Sequence, residues 1–112
     1  MREEFKWAET HTHLEKFTYS TLADSVAKIG PSTPVSVTID LDVFDPSLFS
    51  GTGTPEPGGI GWNDMISILK TLTGLNIIGA DVVELSPHHD QTGVSTAVAC
   101  KVVRELMLTV LK

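Results

Sequence analysis

The hydrophobic and polar positions of the chain follow two periods, that of an amphipathic helix and that of a half-buried strand. From Thr21, apolar residues recur at helical spacing as far as Gly30, which predicts a helix over 21–29. Thr21 and Asp24 have the spacing of a capping box at its start, and Gly30 predicts a left-handed cap at its end. Residues 35–41 alternate β-branched and polar side chains, which is typical of a strand with one buried face.

The second half of the chain follows a long loop. Residues 43–61 are rich in proline and glycine, and long ordered loops without secondary structure are usually functional. Helical spacing then predicts a helix over 63–73 with Asn63 as its N-cap, and an apolar run predicts a buried strand over 77–84. A last apolar stripe predicts a helix over 94–111. Helices alternating with strands indicate an α/β fold in which helices pack against a parallel sheet.

Residues 1–20 form a lead-in with a weaker pattern. They are charged, and a short helix around Phe5 and Ala8 is the element that their spacing favours. His11 and His13 are two residues apart, which on a helix directs them to different faces. Surface histidines are therefore favoured over a pair of metal ligands.

Composition narrows the class of protein. Hydrophobic residues make up 41% of the 112 residues and charged residues 20%, as in an ordinary globular domain. The formal net charge of −6 argues against a partner that is a nucleic acid. No apolar run reaches the roughly 18 residues of a membrane span, and no secretory signal is visible. The single cysteine, Cys100, forms no internal disulfide, so we expect a reducing cytoplasm and no membrane partner.

The clearest candidate chemistry lies at the end of the first predicted strand. Asp40 and Asp42 are two residues apart, so a strand would project both carboxylates to one side, about 6.5 Å apart by Cα. Paired carboxylates favour divalent metals such as Mg²⁺ or Mn²⁺. Alternatively, Asp42 caps the loop and Asp40 accepts hydrogen bonds from backbone amides. Asp45, which precedes a proline, has the position of an Asx-turn residue.

A second candidate carboxylate, Glu84, lies at the end of the other predicted strand. A carboxylate that follows an apolar strand needs a cationic partner. A bound guanidinium suits it, because two parallel N–H donors match one carboxylate, but an internal Arg or Lys would serve as well. His88, His89 and Asp90 follow in a loop, where they either line a pocket mouth or face solvent.

These strand ends carry two distinctive segments. Residues 38–59 contain Thr-Ile-Asp-Leu-Asp-Val-Phe-Asp-Pro and Gly-Thr-Gly-Thr-Pro-Glu-Pro-Gly-Gly, and residues 81–87 read Asp-Val-Val-Glu-Leu-Ser-Pro. In combination they resemble the second metal signature of the ureohydrolases, the family that includes arginase and agmatinase. The resemblance covers residues 21–112, and the Pro-Glu-Pro and Val-Val-Glu-Leu-Ser-Pro runs look more like its agmatinase branch.

The resemblance implies a three-layer α/β/α fold around a parallel sheet and a binuclear manganese centre. It also implies hydrolysis of a guanidino compound, such as agmatine to putrescine and urea. Matched residue by residue, Asp40 and Asp42 correspond to two carboxylate metal ligands. Glu84 matches the acid that binds the substrate guanidinium, and Thr54 matches a threonine of the same pocket. Two metal ions lower the pKa of a bound water, which agrees with such a hydrolysis.

The sequence departs from the family pattern at several points. Thr38 stands where Ser is usual, and Ser50 where Pro is usual. The family's upstream motifs, Gly-Gly-Asp-His and Asp-Ala-His-x-Asp, supply most of its metal ligands and are absent from this sequence. We therefore expect residues 1–112 to be the C-terminal part of a ureohydrolase domain, inactive alone. Its expected partners are the missing N-terminal half or other ureohydrolase subunits, commonly in a homo-oligomer.

Two other functions compete with this interpretation. The first is a non-catalytic assembly or interaction module derived from a ureohydrolase. The second is a phosphatase of the haloacid dehalogenase type, whose nucleophile motif residues 40–43 would supply, with Lys70 as its lysine. That family also needs a pair of acids further along the chain, whereas Asp81 stands alone.

Overall fold

The computed structural model describes residues 2–16 and 18–110, and its elements follow the predicted order. Within those residues the helices and strands are α1 (Arg2–His11), α2 (Leu22–Ala27), β1 (Pro34–Asp40), α3 (Trp62–Thr71), β2 (Asn76–Val83) and α4 (Val94–Glu105). A 3-10 turn follows each strand, at Leu41–Val43 and Pro87–His89, and a π-helical turn, Leu106–Val110, extends α4. Residue 111, the predicted end of the last helix, lies outside the described residues, as do residues 1, 17 and 112.

Strands β1 and β2 pair in parallel, which confirms the predicted α/β class. Val37 lies opposite Ala80, and Asp40 lies opposite Val83. A register shift between Val35 and Ser36 precedes this regular pairing. Because the strands are parallel and in register at their carboxyl ends, the segments that follow them emerge at the same end of the sheet. This is the end at which ligands bind in open α/β sheets.

One face of the sheet is buried and the other is open. The hydrophobic core is formed by apolar side chains from β1, from the loop that connects β1 to α3, from α3, and from α4 with its π-helical turn. Its buried members are Ile39, Leu41, Phe44, Phe49, Met65, Leu69, Ala99, Val102, Leu106 and Val110. The alternate positions Ser36, Thr38 and Asp40 are exposed, as is Asp81 on β2. The described residues therefore form a sheet with helices on one face, and a second helix layer is not among them.

Two predicted helix caps at α2 are wrong. Thr21 occupies the N-cap position, but its side chain makes no capping hydrogen bond. The Thr21 amide, which a capping box would pair with Asp24, donates to the Glu15 carboxylate at 2.9 Å. The helix ends at Ala27, with Lys28 in a right-handed conformation, so Gly30 does not act as a left-handed cap. A carboxylate from the preceding segment thus fixes the start of α2.

The predicted cap of α3 is also displaced. The N-cap is Gly61 rather than Asn63, and the Asp64 Oδ2 atom accepts the Gly61 amide hydrogen at 2.9 Å. The Tyr19 hydroxyl donates to the other oxygen of Asp64 at 2.8 Å. These two hydrogen bonds, Gly61 first, lower the pKa of Asp64 below its ordinary value. Gly61 is therefore the N-cap in place of Asn63, and Asp64 supplies the carboxylate that binds the N-cap amide.

Helix α1 confirms the short helix expected near the start of the chain. None of its side chains is buried, and Trp7 and Phe5 are both exposed. His11 stacks on the Trp7 ring with 4.5 Å between ring centroids. Both His11 and His13 are exposed, as surface histidines would be. Across residues 2–16 and 18–110, no helix has the length and apolar character needed to cross a membrane.

Candidate functional site

Asp40 is the last residue of β1 and the cap of the turn that follows. Its Oδ1 atom accepts the Asp42 amide hydrogen at 2.9 Å, which turns the chain into the Leu41–Val43 3-10 helix. The side-chain alternation of a strand therefore stops before Asp42, and the expectation that both carboxylates share one side no longer follows from it. One carboxylate oxygen of Asp40 binds a backbone amide, as the alternative interpretation proposed.

Asp42 lies at the centre of a small hydroxyl cluster. The Thr52 hydroxyl donates to Asp42 Oδ1, and the Thr54 hydroxyl donates to Oδ2 at 2.5 Å. Thr54, expected in the site from the resemblance alone, therefore contacts one of the expected metal ligands. Thr52 is 2% exposed and was missed. The repeated Gly-Thr of residues 51–54 was the available signal, because it sets two hydroxyls two residues apart.

Residues 51–54 are held between the end of β2 and the start of α4. The Gly51 carbonyl accepts the Ser86 amide at 2.7 Å, and the Gly51 amide donates to the Ser95 hydroxyl oxygen at 2.8 Å. A Cβ atom on Gly51 would come within 2.7 Å of the Ser95 Cβ, closer than real Cβ atoms approach. Only glycine fits this position without a shift of its neighbours.

Asp90 is buried and anchors the start of α4. Its Oδ1 accepts the Thr92 amide and hydroxyl at 2.9 and 2.6 Å, and its Oδ2 accepts the Ser95 amide at 2.7 Å. Hydrogen bonds from Ser95, and then from Thr92, hold the pKa of Asp90 far below its usual range. His88 and His89 are exposed, and the His89 Nδ1–H donates to the Thr52 carbonyl at 2.8 Å. Of these three loop residues, Asp90 thus has the structural role.

The far side of the long loop is closed by Asp45, which is the predicted Asx-turn residue. Its Oδ1 accepts the Ser47 amide and its Oδ2 accepts the Gly58 amide, both at 2.9 Å. Hydrogen bonds from Ser47, then Gly58, lower the pKa of Asp45 to about 2. Beside it, Phe44 and Ile60 form an isolated parallel bridge. The loop is therefore a closed, hydrogen-bonded unit.

Glu84 contrasts with this cluster. It is the single non-glycine residue with a positive φ, 69°, among the described residues. Its side chain is exposed, and in that part of the chain no hydrogen bond or ion pair involves its carboxylate. An internal Arg or Lys partner, one of the two alternatives considered, is thus not found there.

A cleft of about 440 Å³ opens beside Asp42. Its lining includes three carboxylates, those of Glu15, Asp42 and Glu56, and the ring of Tyr19. The described residues that line the cleft include no Lys or Arg, and they do not include Thr54 or Glu84. The structure therefore joins Asp40, Asp42 and Thr54 through hydrogen bonds, and within residues 2–16 and 18–110 no hydrogen bond or ion pair links them to Glu84.

The donor atoms at the end of β1 suit a hard divalent cation in kind but not in number. Carboxylate oxygens are ligands that Mn²⁺ accepts readily. Within residues 2–16 and 18–110, however, no group of three or more His, Cys, Asp or Glu side chains could hold a metal ion. Two carboxylates alone therefore match manganese in donor chemistry and fall short of the number of ligands that an octahedral shell needs.

Comparison with known proteins defines the class. The model of the arginase family matches residues 2–109, and the chain belongs to this family. The membership removes the haloacid dehalogenase alternative. The solved arginase of Bacillus caldovelox superimposes with a TM-score of 0.80 at 23% identity, over 95% of this chain and 39% of that one. This likeness shows the arginase-type α/β fold.

Relatives of higher sequence identity carry the name agmatinase. An agmatinase of Bacillus cereus is 39% identical over 112 residues, covering 96% of this chain and 38% of the relative. The crystal structure of an agmatinase candidate from Clostridium difficile superimposes with a TM-score of 0.86 at 47% identity, over 95% of this chain and 40% of that one. The chain therefore spans about two fifths of the length of these relatives, as expected for part of an agmatinase-like chain.

Proposed function

We propose that the chain is part of an agmatinase-like ureohydrolase that converts agmatine to putrescine and urea. Its membership of the arginase family and its similarity to proteins named agmatinase support this reaction class. The observation that carries the proposal is the Asp42 cluster. Two threonine hydroxyls orient this carboxylate at the end of β1, and the adjacent parallel strand leads directly into Glu84.

In the proposed enzyme, Asp40 and Asp42 hold manganese together with ligands from outside this chain. The two ions, when bound, supply a Lewis acid and an activated water for attack on the guanidinium carbon. The chain's own contribution is orientation. Because an ionised carboxylate has about four acceptor sites, the hydroxyls of Thr52 and Thr54 can fix Asp42 while lone pairs remain for an ion.

Glu84 binds the guanidinium of the substrate in this proposal. Its carboxylate is exposed and has no cationic partner among the described residues, so it is available to an external cation. A guanidinium matches it with two parallel N–H donors, and such charge-assisted pairs are stronger than neutral hydrogen bonds. We propose that Thr54 belongs to the same substrate pocket in the assembled enzyme, where its hydroxyl also contacts Asp42.

The proposed partners are the remaining N-terminal part of a ureohydrolase chain and further subunits in a homo-oligomer. Strands β1 and β2 form a two-stranded sheet in the described residues, so each has one unpaired edge. Unpaired edges present free backbone donors and acceptors to another strand. We place the assembled enzyme in the cytoplasm, in polyamine biosynthesis.

Complementation tests this function. The chain is mixed with the segment of the Bacillus cereus agmatinase that the match leaves uncovered, and urea is measured with Mn²⁺ and agmatine. The chain alone should release no urea above background and bind Mn²⁺ weakly, because two carboxylates cannot complete an octahedral shell. The mixture should release urea, whereas the added segment alone should not. Urea from the lone chain would contradict the proposed need for outside ligands.

The competing candidate is the non-catalytic assembly module. The absence of a three-ligand group among the described residues, together with two open strand edges, favours it. It is distinguished by the same experiment, since a complex that forms but stays inactive would support the module against the enzyme.

A further inference from the structure

A continuous series of polar contacts connects the start of α4 to Asp42. Asp90 binds the Ser95 amide, and the Ser95 hydroxyl oxygen accepts the Gly51 amide hydrogen. The next residue, Thr52, donates its hydroxyl to Asp42. We call Asp90, Ser95, Gly51 and Thr52 the relay. It connects parts of the chain that are 44 residues apart at the Gly51–Ser95 contact.

The relay is shielded from water. Ser95 is 0% exposed, Thr52 2% and Asp90 8%. Removing one partner from a buried hydrogen bond leaves the other without compensation by solvent. In the described residues no buried side-chain polar atom lacks a partner, so each relay contact satisfies a group that water does not reach. The tight Gly51–Ser95 approach further limits the positions that residues 51 and 52 can adopt.

We propose that Asp90 and Ser95 are positioning residues, which act through Gly51 and Thr52 to hold the Asp42 carboxylate in the orientation that a metal ion needs. The metal role of Asp42 in this statement rests on the proposed function. The orientation itself does not. Asp90 fixes the Ser95 amide, Ser95 fixes the Gly51 amide, and Gly51 sets the place of the Thr52 hydroxyl. The Thr54 hydroxyl then acts from the other oxygen of Asp42.

The test uses the full chain without metal and then with Mn²⁺ as the probe. NMR records hydrogen exchange of the Gly51 amide and the ¹³C resonance of the Asp42 carboxyl. Ser95→Ala and Asp90→Asn should each accelerate Gly51 exchange by about fivefold and shift the Asp42 resonance. Electron paramagnetic resonance of free Mn²⁺ should show an affinity about fivefold lower in both variants.

Thr52 supplies the conservative rescue. Thr52→Val keeps the shape and removes the hydroxyl, so Mn²⁺ affinity should fall about tenfold. Thr52→Ser keeps the hydroxyl and should retain the parental affinity and Asp42 resonance. Adding Ser95→Ala to Thr52→Val should cause no further loss, because the relay passes through the Thr52 hydroxyl. Independent, additive losses would overturn the proposal.

Asp64→Asn is the matched control. Asp64 also binds backbone at a helix start, but its recorded partners are Gly61 and Tyr19 rather than the relay. It should leave the Asp42 resonance and Mn²⁺ affinity unchanged. If Ser95→Ala and Asp90→Asn alter Gly51 exchange and leave Asp42 unaffected, they support only the loop and the proposal is wrong. If one of these two variants fails to fold, the other decides. If both fail, an Asp42 resonance that does not respond to Thr52→Val overturns the proposal, because Asp90 and Ser95 are proposed to act through the Thr52 hydroxyl.

These readouts also separate the proposal from the proposed function. An Asp42 resonance that responds to the relay, in a chain whose complemented form never releases urea, would retain the positioning role and refute the hydrolase. Urea release by the complemented chain with an unresponsive Asp42 would do the reverse.

Discussion

Strands β1 and β2 end side by side, but the carboxylates that follow them, those of Asp42 and Glu84, differ in burial and in hydrogen bonding. Asp42 is half-buried, and each of its oxygens accepts a threonine hydroxyl. Glu84 is exposed, has a left-handed backbone, and makes no hydrogen bond or ion pair within the described residues. The first carboxylate is organised by the chain itself. The Glu84 carboxylate is exposed and lies on a residue with a strained left-handed backbone.

This difference separates two tasks within one proposed site. A ligand for a metal benefits from fixed geometry, because outer hydrogen bonds orient the donor before the ion arrives. A carboxylate that binds the substrate must release it at every turnover. Hydrogen bonds from the chain itself to that carboxylate would compete with the substrate. Strain of the Glu84 type also concentrates at functional sites, where the surrounding structure maintains it.

The largest expected effect concerns the hydrogen-bonded carboxylate, Asp42. In the complemented enzyme, Asp42→Ala should reduce urea release to background, because it removes one of the two carboxylates proposed to bind manganese. Urea assay and manganese content, measured together, check this. Asp45→Asn is the control, since Asp45 braces the same loop without contacting Asp42. It should retain most of the activity. Equal losses in both variants would indicate loop collapse rather than loss of a ligand.

At Glu84, the exposed carboxylate, we expect a smaller loss of activity. Glu84→Gln keeps the shape of the side chain and removes its charge, so the KM for agmatine should rise about 10- to 100-fold. Manganese content should stay at the parental level. Steady-state kinetics with metal analysis distinguish the two ends, and loss of manganese in this variant would show that Glu84 belongs to the metal site instead.

The close packing of Gly51 against Ser95 predicts an effect on the free energy of unfolding. Gly51→Ala forces a Cβ against Ser95 and should lower the free energy of unfolding by about 1–3 kcal/mol, as overpacking does. Gly53→Ala, two residues away, meets nothing within 4 Å and should stay within about 0.5 kcal/mol of the parent. Urea denaturation of the three chains measures both values. Equal destabilisation would mean that the Ser95 contact does not constrain the loop.

The smallest effect tests the strain at the exposed end. Glu84→Gly relieves the left-handed conformation but adds freedom to the unfolded chain, for a net gain on the order of 0.5 kcal/mol. Glu56→Gly replaces an exposed glutamate whose φ is not positive, and it should lose about 0.5–1 kcal/mol. Opposite signs in denaturant unfolding would establish the strain, whereas a loss at both positions would refute it.

The strands were predictable from local composition, and their parallel pairing from the helix that separates them in the chain order. The buried position expected for β2 was wrong, since none of its residues is buried. The helix caps were less predictable than the strands. Thr21 and Gly61 are each held by a carboxylate, Glu15 and Asp64, that capping rules did not single out. Both contacts are local, three and six residues apart, but a carboxylate that accepts the N-cap amide leaves no mark in the hydrophobic period.

The candidate site divides in the same way. Asp40, Asp42, Thr54 and Glu84 could be selected from residue type, position and family resemblance. Their contacts could not, because the Asp42 partners depend on the path of a loop without a period. Asp90 resembled a solvent-facing loop residue, although a following Thr92 just before a helix is a signal of an Asx turn. Ser95 carried no such signal, since its partner Gly51 is distant in sequence.

The bridge between Phe44 and Ile60 has a consequence for how the chain folds. Parallel strands joined across a long connection fold slowly, because the entropy of closing the connection is lost before any pairing between the strands is gained. The bridge and the Asp45 contacts to Ser47 and Gly58 can form first, since they join residues closer in sequence. Once formed, they remove most of the loop from the connection between β1 and β2, so the second closure involves an effectively shorter chain. The loop that carries the candidate site would then also set the order in which the sheet assembles.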